Sequence, residues 1–191
     1  MAKLYFRYAA MNAGKSTSLL QAAYNYEERG MAVVLLTAEL DNRDGTGQIA
    51  SRLGLSREAV TFNASHSMAE RIAHAQQDKW ISKLACVLID EAQFLTTVQV
   101  EELHQWTHTL DTPVMCYGLR SDFQGKAFAG SAALLVLADD IEEMKTICEC
   151  GKKASMNARF SDDGERIREG HQILIGGNAR YRALCPDCFY S

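Results

Sequence analysis

The chain has 191 residues, 47% of them hydrophobic and 23% charged, and a formal net charge of -4. That length holds one ordinary domain with a real core and a small appendage. The mild acidity gives no general attraction to nucleic acid or an anionic membrane, no apolar run approaches spanning length, and the first residues lack the apolar core of a secretion signal. The expectation is a cytoplasmic protein with no nucleic-acid or membrane partner.

The first predicted element is a strand, Lys3-Leu4-Tyr5-Phe6-Arg7-Tyr8, from its alternating pattern. The loop Ala9-Ala10-Met11-Asn12-Ala13-Gly14-Lys15-Ser16-Thr17 follows. A helix is predicted from Gly14 to about Arg29, with Gly30 as its stop. Strand, tight loop and helix is the setting of a phosphate-binding loop, whose backbone N–H groups and helix N-terminus favour one anion. Lys15 can reach the β- and γ-phosphates, and the Ser16 hydroxyl can ligate magnesium. Ala9 stands where such loops usually have their first glycine.

Met31–Thr37 is a continuous apolar run, suited to a strand covered on both faces. Residues 41–56 are polar and contain three glycines, which predicts a long loop or flexible segment. Within it Arg43 can approach a transferring phosphoryl group, or be a solvated surface arginine. Ser67 and Glu70 form a capping-box pattern for a helix to about Gln77. Leu84–Ile89 is a second buried strand, Thr96 and Gln99 open a helix to about Leu110, and Val114–Gly118 is a third buried strand. Strands alternating with helices imply a parallel α/β sheet, with the phosphate loop at its carboxyl edge.

Asp90 and Glu91 emerge at the end of a buried strand. Asp90 suits the magnesium shell, through a water, and Glu91 can take a proton from an attacking hydroxyl or water. The same pair also suits the start of the next helix, and Asp-Glu after a buried strand occurs in hydrolases and kinases alike.

After about Thr146 charged and glycine-containing segments take over, with one predicted strand at His171–Ile175. A boundary near residue 147 divides a phosphate-binding α/β unit, 1–146, from a small C-terminal lobe, 147–191. Cys86 and Cys116 lie in apolar runs and read as buried small hydrophobes. Cys148, Cys150, Cys185 and Cys188 form two close pairs separated by thirty-four residues. Two such pairs can supply a tetrahedral, structural Zn2+ site, the alternative being free thiols or a redox pair. A lobe of about forty residues is too small to sustain its own core without a staple. Gly176-Gly177 gives a turn that can approach a ligand, with Tyr181 lying over it, or a plain hairpin turn.

In their order and spacing, Met11–Thr17, Asp41-Asn42-Arg43, Asp90-Glu91-Ala92-Gln93-Phe94, Tyr117–Phe123, Cys148-Glu149-Cys150 and Ile175–Tyr181 resemble the type II thymidine kinase family over nearly the whole length. The resemblance implies a P-loop NTPase-like sheet flanked by helices, with a zinc-ribbon lobe carrying a lasso loop. It implies ATP-dependent phosphorylation of the 5′-hydroxyl of thymidine, with deoxyuridine as a related substrate, in nucleotide salvage for DNA synthesis. By the same resemblance Glu91 is the general base, and Mg2+ with ATP is held by Ser16 and Asp90. Residues 9–16, Arg43, Asp90 and Gln93 form the ATP set. Arg43 and Arg159 match phosphate or 5′-end contacts. Met11, Phe94, Leu119, Phe123 and Phe128 match the apolar wall of the base pocket, and Gln172, Leu174, Gly176 and Tyr181 match the closing loop. Family members are commonly homotetramers inhibited by thymidine triphosphate. A zinc-ribbon ATPase acting on nucleic acid would use the same phosphate motifs, but the acidic balance and lack of a basic stripe count against it.

Overall fold

The computed structural model describes residues 1–41, 45–78, 81, 83–173 and 180–191. In chain order, β1 (Leu4–Ala9) leads into α1 (Lys15–Glu27) and then β2 (Ala32–Ala38). Three short strands follow: β3 (Gln48–Ala50), β4 (Ser56–Glu58) and β5 (Val60–Phe62). Next come α2 (Met68–Asp78), β6 (Leu84–Ile89), a single 3-10 turn (Ala92–Phe94), α3 (Thr97–Leu110) and β7 (Val114–Leu119). The α/β part closes with α4 (Ala129–Leu137) and β8 (Asp140–Glu143).

Among the described residues the central sheet has the order β5-β2-β6-β7-β1-β8. Every neighbouring pair in it is parallel. The alternation inside β2 explains how one apolar run serves two faces. Val34 and Leu36 join Leu103 of α3, Ile72 of α2 and Leu134 of α4 on one side. Val33 and Leu35 pack with Leu19, Leu20 and Ala23 of α1 on the other. Side chains on a strand alternate between faces, so a strand covered twice needs apolar residues at every position. Leu88, with no exposed surface, is typical of the interior; its truncation to alanine would cost about 2–5 kcal/mol.

Helices α1, α2 and α3 and strands β1, β2, β6 and β7 fall where the sequence predicts them, whereas helix α4 has no counterpart in that reading. The short ones depart from it. Part of the predicted loop at 41–56 is a hairpin, β3 pairing antiparallel with β4. Three-residue strands beside glycines carry too little periodicity to be read. The Ser67 box is half formed: Ser67 Oγ accepts from Glu70 N–H at 3.2 Å, but the reciprocal acid is Glu102 of α3. Glu102 takes the N–H groups of Met68 at 2.7 Å and Ala69 at 3.1 Å. The box at α3 is complete, with Thr96 and Gln99 each capping the other.

Beyond β8 the chain forms β9 (Thr146–Ile147), β10 (Lys153–Ala154), β11 (Met156–Phe160), β12 (Arg166–Ile167), β13 (Tyr181–Leu184) and α5 (Pro186–Tyr190). β11 is the middle strand of an antiparallel set with β12 and β13. The strand predicted at His171–Ile175 is not found in its described part, residues 171–173. Gln172 instead ties its side chain to Asp122 Oδ2 at 2.9 Å, and Ile173 faces the cavity described below. Ile175 lies outside the described residues.

Candidate active site

All the strands of the central sheet run the same way, so the residues that follow β1, β6 and β7 meet at one edge. The loop after β1 turns on Asn12 (φ 65°) and Gly14 (φ 79°), both left-handed. At Gly14 that conformation costs no Cβ clash, and it starts α1 directly. Ala9 is still a strand residue, paired with Leu119, and is not among the positive-φ positions. Glycine's freedom is therefore not required there. Lys15 Nζ donates to Ala10 O at 3.1 Å, which folds the loop around its ammonium.

After β6 the chain delivers Asp90, 4% exposed, and Glu91 in a left-handed conformation (φ 52°). Ser16 Oγ donates to Asp90 Oδ2 at 2.7 Å, and Glu91 N–H donates to Asp90 Oδ1 at 3.0 Å. Burial, reinforced by the Glu91 carboxylate, pushes the Asp90 carboxyl up to about 7 against the pull of Ser16 and Lys15. A hydroxyl and a buried carboxyl facing one another are hard oxygen donors of the kind magnesium takes. Gln93 Nε2 donates to Glu91 Oε2, while its Oε1 accepts Leu119 N–H at 3.0 Å. Gln93 therefore joins the ends of β6 and β7.

A cavity of about 1110 Å³ opens at this edge. Met11, Asn12, Ala13, Gly14, Lys15 and Ser16 line one end, together with Glu91 and Gln93. Phe94, Leu119, Phe123 and Phe128 line another part, with Gln172 and Tyr181 from the C-terminal segment. Phe94 and Phe128 meet edge to face, their centroids 5.9 Å apart. Ala9 and Ala10 are buried beneath this lining. Arg159 is 5% exposed and does not line the cavity. Its guanidinium lies 3.6 Å over the Phe123 ring and donates to His171 O at 2.9 Å. Arg43, Leu174 and Gly176 lie outside the described residues.

The Sγ atoms of Cys148, Cys150, Cys185 and Cys188 all lie within 4.8 Å of one another. Tetrahedral zinc with bonds of about 2.3 Å requires sulfurs about 3.8 Å apart; Cys150 and Cys185 are at 3.5 Å. The backbone N–H groups of Cys150 and Cys185 lower the Cys148 thiol, while the thiols of Cys150, Cys185 and Cys148 raise that of Cys188. The four residues fit a structural zinc. Cys86 is the opposite case: burial in the sheet pushes its thiol up to about 12.

The family model described as "Thymidine kinase" matches residues 2–189. A thymidine kinase of Albidiferax ferrireducens is 59% identical over 190 residues, covering 100% of this chain and 93% of that protein. One from Chromobacterium violaceum is 55% identical, covering 100% and 99%. One from Shewanella oneidensis is 51% identical, covering 99% and 97%. The chain belongs to the thymidine kinase family. Among solved structures, the Pif1 helicase of Candida albicans superposes with a TM-score of 0.41 at 15% identity, over 76% of this chain and 36% of that one, a likeness too slight to bear on function.

In this member of the thymidine kinase family two polar residues that sequence reasoning missed hold the cavity together. Asn157, 2% exposed, accepts Met11 N–H at 2.8 Å and donates to Ser121 O at 2.9 Å. Asp122 Oδ1 accepts the N–H groups of Gln124 and Lys126, each at 2.9 Å, and Oδ2 takes Gln172. The Asp-Phe-Gln-Gly run at 122–125 is a turn signature and would have flagged Asp122. A buried Asn inside a strand has no such signature.

Proposed function

We propose that the protein transfers the γ-phosphate of ATP to the 5′-hydroxyl of thymidine, and of deoxyuridine as a related substrate. One observation carries the reading: the Lys15 cradle, the Glu91 carboxylate and an aromatic wall line the same cavity. Membership of the thymidine kinase family supports it.

In this reading the loop at 9–16 holds the triphosphate through backbone N–H groups, with Lys15 offsetting charge on the β- and γ-phosphates. A magnesium ion held by Ser16 and Asp90 would supply further charge neutralisation there. Glu91 accepts the proton of the sugar hydroxyl as it attacks. Gln93 fixes the Glu91 carboxylate, since its other end is tied to Leu119 N–H. Met11, Phe94, Leu119, Phe123 and Phe128 form the pocket for the pyrimidine, against which an aromatic face stacks. Gln172 and Tyr181, with Leu174 and Gly176, belong to a loop that closes over the nucleoside and excludes water. Arg159 holds the base of that loop to Phe123, and Arg43 contributes at the phosphates. Zinc in the four cysteines anchors the lobe at 147–191 from which the loop springs. The active form is a homotetramer, inhibited by thymidine triphosphate.

The test is incubation with ATP, magnesium and each nucleoside in turn, followed by detection of the monophosphate. Thymidine monophosphate is the expected product. ATP hydrolysis stimulated by DNA, with no nucleoside phosphate formed, would overturn the reading.

A further inference from the structure

A second cluster of metal-ligating side chains lies far from the phosphate cradle. Among the described residues, ligand atoms of His104, His108 and Asp139 all lie within 4.8 Å of one another. His104 and His108 sit one turn apart on α3, at the spacing that stacks side chains on one helix face. Asp139 begins the approach to β8. Its backbone N–H donates to Leu4 O at 2.9 Å, and its Oδ2 accepts Leu4 N–H at 2.8 Å. Leu4 opens β1, whose other end carries the phosphate loop. The cluster is thus at the amino edge of the sheet, opposite the cavity.

We propose that His104, His108 and Asp139 form a second divalent-metal site, of the zinc class, which pins the C-terminal half of α3 to the start of β8. Three features of the geometry support it. The two Nε2 atoms are 3.2 Å apart. Two imidazoles on one tetrahedral zinc, with bonds of about 2.0–2.1 Å, place their nitrogens about 3.3 Å apart. The pair is therefore already at the bite a metal needs. Without metal, one ring donates its Nε2–H to the other; with metal, that proton moves to Nδ1 and both Nε2 lone pairs face the ion. Second, Asp139 is an oriented ligand, because two hydrogen bonds to Leu4 fix its backbone and one carboxylate oxygen. Third, His108 lies in the last turn of α3, where the carbonyl end of the helix favours positive charge.

The ligand set defines the class of ion. Two imidazole nitrogens and one carboxylate suit Zn2+, and by the usual order of affinities Ni2+ and Cu2+, rather than Mg2+ or Ca2+, which take oxygen. His108 and Asp139 are exposed and His104 is half-buried, so the ion enters from solvent and keeps water in its remaining position. This site uses none of the residues assigned to the kinase reaction or to the four-cysteine cluster.

The experiment is equilibrium dialysis of the full chain against micromolar Zn2+, with bound metal counted by atomic absorption and melting followed in parallel. The wild-type chain should bind one equivalent more than the His104→Ala/His108→Ala variant, and its melting temperature should rise with Zn2+ while the variant's does not. Asp139→Asn keeps an acceptor for Leu4 N–H but removes the charge; it should weaken the extra equivalent by about tenfold or more. Thymidine phosphorylation and the metal held by the four cysteines should be unchanged in all variants, which shows that they fold. An extra equivalent that survives the double substitution, or its absence from the wild-type chain, would overturn the proposal.

Discussion

At the scale of single residues, the cavity draws on backbone that departs from its ordinary angles. Asn12, Gly14 and Glu91 all have positive φ, and all line the cavity. A glutamate in that conformation costs about 1–3 kcal/mol, and here the conformation aims its carboxylate into the cavity rather than along the helix that follows. Glu91→Gln should leave nucleotide and nucleoside binding nearly intact and slow phosphoryl transfer by about a hundredfold or more, read as kcat against KM. A fully active variant would remove Glu91 from the role of base. Gly118 gives a second expectation. A Cβ there would meet Gln93 Oε1 at 2.8 Å and Gln93 N at 3.0 Å. Gly118→Ala should therefore destabilise the fold by about 1–3 kcal/mol in denaturant and lower activity by shifting the partner of Glu91. The cavity-lining residues Lys15, Ser16 and Glu91 were legible because a phosphate-binding loop and a strand-end acid each have a fixed place on a strand-loop-helix unit. Gln93, by contrast, stood in the sequence as an ATP contact with no visible reason. Its use as a strut between two strand ends depends on pairing between β6 and β7, which no local pattern encodes.

Elements show a different division. Strands β2, β6 and β7 and helices α1, α2 and α3 were legible because each is long enough for its apolar period to show. Helix α4 was not: with six of its nine residues drawn from Ala and Leu, its sequence AGSAALLVL has no polar face from which to read a period. Strand β8, DIEE, is an exposed edge whose acids hide its pairing. Its backbone pairing with β1 is reinforced by charge. Arg7 of β1 reaches Asp140 at 2.5 Å and Glu142 at 3.1 Å. The hydrogen bond from Arg7 holds the Asp140 carboxyl below its usual range. A depressed acid contributes stability that is present above its unfolded value, about pH 3.9, and is lost as pH falls through its native value. Asp140→Asn should accordingly lower stability at pH 5 and above, with the gap from wild type closing in more acidic solution; a gap independent of pH would assign the effect to something other than charge. For α2, the cap from another helix gives a sharper expectation. Glu102→Ala should cost about 1–2 kcal/mol and raise amide exchange in the first turn of α2, far from the substitution in sequence.

Across the whole molecule the interior is built in three separate clusters. Two lie on the faces of the parallel sheet, and the third unites Cys148, Ala154, Ala158, Leu184, Cys185 and Phe189. The third is small and contains two of the four clustered thiols, so it depends on them far more than the sheet does. Removing zinc by chelation, or Cys185→Ser, should abolish amide protection in β11 and β13 while leaving β2 and β6 protected; uniform loss across both would show that the molecule melts as one unit. The cysteine spacing made the four-thiol cluster legible in the sequence. The antiparallel set around β11 stayed hidden because its strands pair across long separations, with β13 twenty or more residues beyond β11. Asn157 then gives the third cluster a reach beyond its own borders. It sits on β11, yet its amide clasps Met11 and Ser121, both of which line the cavity. A polypeptide shortened before this strand would keep every residue of the loop after β1 and lose its cross-tie to Ser121, so a strand near the far end of the chain braces the first turn the chain makes.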